Sequence, residues 1–182
     1  KDVNEAAKRY TLSGEQGYAN AMASLGWMHR EGVGLPHDYA KSLEWYRKAA
    51  DAGDVNAMSS MGYAVQNGLG TAIDFNEARR WYELAAKEND YYSIASLAWL
   101  YESGNGVKQD LEESYKWFAI AARDGDSDAG LKRDEVANAM APEQLSSAKA
   151  KVELWKAQPL DEKTNSADLP DEWVGKPTKT AS

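Results

Sequence analysis

LEWYRKAADAG (43–53), RRWYELAAKEN (79–89) and SYKWFAIAARDG (114–125) are three variants of one phrase. Their tryptophans, Trp45, Trp81 and Trp117, stand 36 residues apart. Upstream of each lies a Gly-x-Gly pair: Gly32/Gly34, Gly68/Gly70 and Gly104/Gly106. An aspartate follows each pair at one register: Asp38, Asp74 and Asp110. A fixed period in the range of ~20–50 residues marks a solenoid, in which each unit buries its apolar face only against its neighbours. The register also runs backwards. Asp2, Tyr10 and Gly17 precede Asp38, Tyr46 and Gly53 by 36 residues, so DVNEAAKRYTLSGEQG (2–17) reads as the second half of a unit. The chain is therefore expected to be a fragment, with further repeats, an anchor or a signal outside it.

One unit reads as two helices. Ala21, Met22, Leu25, Met28 and His29 form the buried stripe of a first helix, A. The glycine pair ends it, because glycine accepts positive φ without steric cost. Asp38 caps a second helix, B, on which Leu43, Tyr46, Ala49 and Ala50 face inward. Asp2-x-x-Glu5, Asp74-x-x-Glu77 and Asp110-x-x-Glu113 fit the reciprocal capping-box pattern. Asp54, Asp90 and Asp126 are expected to cap the following A helices, and Trp81 to pack between both flanking units. Met140 and Pro142 stand where a fourth glycine pair belongs. Pro142 opens a last helix with the stripe Leu145, Ala148, Val152 and Trp155.

The expected fold is all-α, a right-handed α-solenoid of antiparallel helix pairs. Its units are a half repeat (1–17), three repeats (18–53, 54–89, 90–125) and a degenerate capping pair (126–158). An irregular tail (159–182) follows. The tail is polar and proline-punctuated, and is expected to be docked, with Trp173 as anchor. Two docking places are open: the inner face of the array, or the cap beside Trp155.

Composition narrows the function. The 182 residues carry 21 Lys+Arg against 29 Asp+Glu, a net charge of −8. That argues against nucleic acid, whose binding needs cations to neutralise phosphates, and disfavours anionic membranes. No cysteine is present, which removes thiolate chemistry and Cys-ligated zinc. No apolar run approaches the ~18 residues that signal a membrane span. His29 falls on a buried stripe and His37 in a loop, with no Gly-x-Ser-x-Gly elbow, phosphate loop or HExxH motif. We expect no enzyme activity, no cofactor and no metal site; the alternation Asp124, Asp126, Asp128 fits helix capping better than ligation.

One feature lies on helix A opposite the core stripe, and reads equally as a binding surface or as rings that pack on adjacent A helices. Trp27 lies about 200° around helix A from Leu25, and Asn20, Ala23 and Arg30 share its side. The same register holds Asn56, Ser59, Tyr63 and Gln66, then Tyr92, Ala95, Trp99 and Glu102. Trp27, Arg30, Tyr63, Gln66, Tyr92, Trp99 and Glu102 are thus the candidate partner-binding residues. Aromatics in a polar rim are the substance of binding hot spots. They would suit an extended peptide or a sugar chain equally.

LGWMHREGVG (25–34), DYAKSLEWYRKAADAG (38–53) and LYESGNGVKQDLEESYKWFAIAARDG (100–125) together resemble the Sel-one-like repeat (SLR) family, a branch of the tetratricopeptide superfamily. The resemblance covers residues 2–140. It implies a scaffold that takes a protein or peptide in its concave groove. His29 and Val65 depart from it where Tyr101 keeps a tyrosine, and Ala98 departs where Gly26 and Gly62 keep glycine. The stretch 114–160 with LPDEW (169–173) is similar to the C-terminal periplasmic part of alphaproteobacterial polarity factors of the PodJ type. That implies a periplasmic fragment of a membrane-anchored cell-pole organiser. Secreted SLR regulators of the ExoR type share the repeat, and a peptidoglycan-binding module is the alternative.

Overall fold

The computed structural model describes residues 2–123 and 125–155. The tail, with Trp173, and Asp124 lie outside the described residues. Among these residues the chain forms nine helices and no strand: α1 (Val3–Glu15), α2 (Ala19–Glu31), α3 (Tyr39–Asp51), α4 (Val55–Asn67), α5 (Phe75–Lys87), α6 (Tyr91–Ser103), α7 (Leu111–Arg123), α8 (Ser127–Asn138) and α9 (Pro142–Leu154). The all-α solenoid read from the repeat is the fold observed.

The 36-residue punctuation has a physical basis at each point. Gly32, Gly68 and Gly104 end the A helices α2, α4 and α6 in the left-handed region, with φ of 68°, 69° and 75°. The second glycine of each pair couples units. A Cβ on Gly34 would lie 2.6 Å from the Val3 carbonyl oxygen, and one on Gly70 would lie 2.7 Å from that of Tyr39. Each loop therefore rests on the first turn of the preceding B helix, too close for any side chain. Asp38, Asp74 and Asp110 cap α3, α5 and α7. Asp54, Asp90 and Asp126 cap α4, α6 and α8.

The reciprocal half of the expected capping boxes is a correction. Glu5 turns forward to Arg9, Glu77 to Trp81 Nε1 and Arg47, and Glu113 to Lys116 and Lys151. A cation or indole within reach outcompetes a single backbone N–H for each carboxylate. The returning bond occurs instead at Ala141, whose N–H donates to Gln144 Oε1 at 3.0 Å.

Each A helix packs on the B helix before it and the B helix after it, and α2–α4 and α4–α6 also touch. The A helices thus form the inner layer. Small residues let the layers approach: Ala49, Ala57, Ala78, Ala85, Ala86 and Ala98 are fully buried. Tyr46 and Tyr82 lie against Gly26 and Gly62. The repeat-marking tryptophans do not share one fate. Trp117 is buried, but Trp81 is only half-buried, beneath the Arg47 guanidinium at 5.7 Å. Trp81 packs against the core, but the expectation that it is a fully buried ring is corrected. Its register faces the outer rim, and Trp117 is covered only because α9 lies there. That helix departs from the pattern: it packs on α7 rather than folding back along α8. Lys151 ties it to Glu112 (3.2 Å) and Glu113 (3.0 Å), and Ser147 donates to Glu112.

Candidate partner-binding groove

The inner layer carries residues that the core does not need. Trp27 is 44% exposed, Tyr63 50%, Trp99 42% and Tyr92 75%, while the stripe behind them is closed. Helix geometry explains this. Leu25, Met61 and Leu97 occupy the buried side of α2, α4 and α6, and the aromatics two residues on point the opposite way.

Two depressions line this face. One, of about 480 Å³, is bounded by Trp27, Tyr10, Val3 and Arg30. The other, of about 590 Å³, is bounded by Arg30, Tyr39, Tyr63, Asp90 and Tyr92. They adjoin across Arg30, Asn56 and Ser60, which border both. The structure thus brings Trp27, Arg30, Tyr63 and Tyr92 to one groove. Trp99 lies further along the layer, tilted against Phe75 with ring centroids 6.4 Å apart. Gln66 and Glu102 border neither depression. Gln66 is half-buried, and the Glu102 carbonyl accepts from Gln109 Nε2 at 2.8 Å.

The sequence reading missed Tyr39 and Asp90 as groove residues. A signal existed: Tyr39 and Phe75 are 36 apart at the first position of a B helix; Phe75 meets Trp99 of the next A helix, and Tyr39 lines the same depression as Tyr63. Electrostatically the groove is mixed. Arg30 donates to Glu31 at 2.7 Å. Burial pulls the Arg30 guanidinium down, but Glu31 and the phenols of Tyr46 and Tyr63 outweigh it, leaving its pKa raised. Asn56, Ser59 and Ser60 supply neutral donors and acceptors along the floor.

The residues considered for chemistry take structural places. His29 is buried, and its Nδ1–H donates to the Pro36 carbonyl at 3.1 Å. His37 stacks edge-on against Tyr39. Asp126 accepts from the backbone of Asp128 and Ala129 and from the Tyr91 hydroxyl. No helix of the described residues is long and apolar enough to cross a membrane.

Solved structures similar to this chain are repeat proteins. One is c5321, a protective antigen present in uropathogenic Escherichia coli strains displaying an SLR fold, at 29% identity and a TM-score of 0.74. It matches over 84% of this chain, which spans 34% of it. A Sel1 repeat protein from Oxalobacter formigenes is 29% identical, with a TM-score of 0.73 over 84% of this chain and 65% of its own. Cysteine-rich protein B (hcpB) of Helicobacter pylori shares the fold, with a TM-score of 0.55 and 24% identity over 71% of this chain and 92% of its own. The chain thus spans about a third of the first and just under two thirds of the second. No curated protein matches it. Sel1 repeat proteins are typically non-enzymatic and commonly mediate protein–protein interaction. The Sel1 repeat model matches residues 19–54, 55–90 and 92–126, more than half of the chain, and the protein belongs to the Sel1 repeat family.

Proposed function

We propose that this chain is a non-enzymatic scaffold that holds an extended segment of a protein partner in the groove running from Trp27 past Arg30 to Tyr63 and Tyr92. The observation carrying this is the exposure of Trp27, Tyr63 and Tyr92, at 44–75%, along two adjoining depressions of the inner layer. Flat rings grip a chain by its apolar side groups, while Asn56, Ser59 and Ser60 offer partners to its amides. The resemblance of residues 114–160 and 169–173 to PodJ-type polarity factors supports a periplasmic place in a cell-pole organiser. An exposed aromatic series also favours one second reading, a glycan strand of the cell wall stacking on the rings.

The test compares the intact chain with a Trp27→Ala/Tyr63→Ala variant. Each is immobilised and exposed in one arm to periplasmic extract and in the other to purified sacculi. The scaffold reading expects a protein retained by the intact chain and lost from the variant, with sacculi unbound. Retention of sacculi that depends on both rings would establish the glycan reading in its place. Proteins retained equally by both chains would overturn the groove.

A further inference from the structure

A second surface lies on the outer layer, where α5, α7 and the end of α9 meet. It is a depression of about 450 Å³ bounded by Arg80, Glu83, Leu84, Lys87, Trp117 and Trp155. Trp117 and Trp155 meet edge to face at 4.8 Å, and the Lys116 ammonium sits over both rings, at 4.2 and 5.7 Å. Trp117 is 4% exposed, and among the described residues neither its indole N–H nor that of Trp155 meets an acceptor, both nitrogens being sealed from solvent. Leu84 stays 43% exposed and Leu154 81%. Glu83 is taken by Arg79, whereas Arg80 and Lys87 have no ion-pair partner among the described residues. The depression is therefore apolar at its floor and cationic at its rim.

We propose that this depression receives residues 160–174 of the same chain. Trp155, at the C-terminal end of α9, borders the site, so residues 160–174 are tethered within a few residues of it. A tethered segment reaches such a site at a high effective concentration. Residues 160–174 carry five carboxylates against one lysine, and the apolar groups Leu160, Leu169, Trp173 and Val174. That charge complements Arg80 and Lys87 in a chain whose overall charge is −8. The inner groove fits the segment less well, because Arg30 is already paired with Glu31 and the Asp90 carboxylate borders it. Carboxylates pair with Arg80 and Lys87, and the apolar groups cover Leu84 and Trp155.

The experiment uses the full chain and follows the seven tryptophan indole N–H signals by NMR. In one variant Asp168, Asp171 and Glu172 become Asn, Asn and Gln; in another, Arg80→Glu is combined with Lys87→Glu. All these changes are to polar residues outside the core, so the fold is kept. Either variant is expected to move the Trp117 and Trp155 signals, because the covering segment leaves the rings that border the depression. The Trp27 and Trp99 signals should stay in place. Combining Arg80→Glu and Lys87→Glu with Asp171→Lys and Glu172→Lys should restore the original positions. Unmoved Trp117 and Trp155 signals would overturn the proposal, and so would changes confined to Trp27 and Trp99.

Discussion

Adding one methyl group at Gly62 should destabilise the array, although alanine is the better helix former. An ideal Cβ there would lie 2.5 Å from Tyr82 Cε1, 2.6 Å from Cδ1 and 3.0 Å from Cζ. Tyr82 is 2% exposed and sits among Ala78, Ala85 and Ala86, all fully buried, so its ring cannot swing aside. Alanine gains about 1 kcal/mol of helix propensity over glycine. Overpacking costs typically about 1–3 kcal/mol, and here it falls on a rigid ring pressed from behind, at the upper end of that range. The net loss is about 1–2 kcal/mol, or a fall in Tm of roughly 2–8 °C for a chain of this size. Thermal unfolding followed by circular dichroism measures it. The third unit supplies the control, since Ala98 occupies the same register and is buried opposite Phe118. Ala98→Gly should destabilise too, by about 1 kcal/mol, through lost propensity. A Gly62→Ala protein with an unchanged or higher Tm would refute the claim that this contact is closed.

The outer tryptophans should separate by burial: Trp117→Ala should cost about 3–5 kcal/mol and Trp81→Ala about half of that, read from urea unfolding. Asp74→Ala should cost about 1 kcal/mol, the worth of a helix N-cap, with groove binding intact. Burial pushes the Tyr82 hydroxyl up to about 12, with the Ser96 hydroxyl pulling the other way. The folded state then holds its proton more tightly than the unfolded chain, so stability is full below about pH 10 and falls as pH rises toward 12, by about 1.4 kcal/mol at pH 11. Tyr82→Phe should lose correspondingly less stability over that window in alkaline unfolding titrations.

Much of this architecture is legible in the sequence because each punctuating residue answers a local demand. Gly32 and Gly68 provide the left-handed turn, Asp38 and Asp74 the caps, and Leu25 and Met61 the buried stripe; all depend on contacts within one or two units. The exposed side of α2 is legible for the same reason, since Trp27 stands on the face opposite Leu25. What escaped the sequence depends on non-local competition. Glu77 fits a capping box, but Arg47 from the preceding unit and the Trp81 indole claim its carboxylate. Trp81 and Trp117 share a register, yet only Trp117 lies under α9, which is held on α7 by the burial of Ala148 and Val152, the Trp117–Trp155 contact and the pairing of Lys151 with Glu112 and Glu113. Tyr39 enters the groove from a B helix, so a helical projection of the A helices alone misses it.

The most direct test of the central claim is the affinity of a selected peptide for the intact groove and for an altered one. Peptides would be selected against the whole chain from a random library, and their binding measured by isothermal titration calorimetry. The account predicts competition among the selected peptides for one site, and a loss of at least about 2 kcal/mol, roughly 30-fold in Kd, on Tyr63→Ala. Asp74→Ala should leave that affinity unchanged. Peptides that bind the Trp27→Ala/Tyr63→Ala/Trp99→Ala protein as tightly as the intact chain would contradict the account and place the binding surface elsewhere.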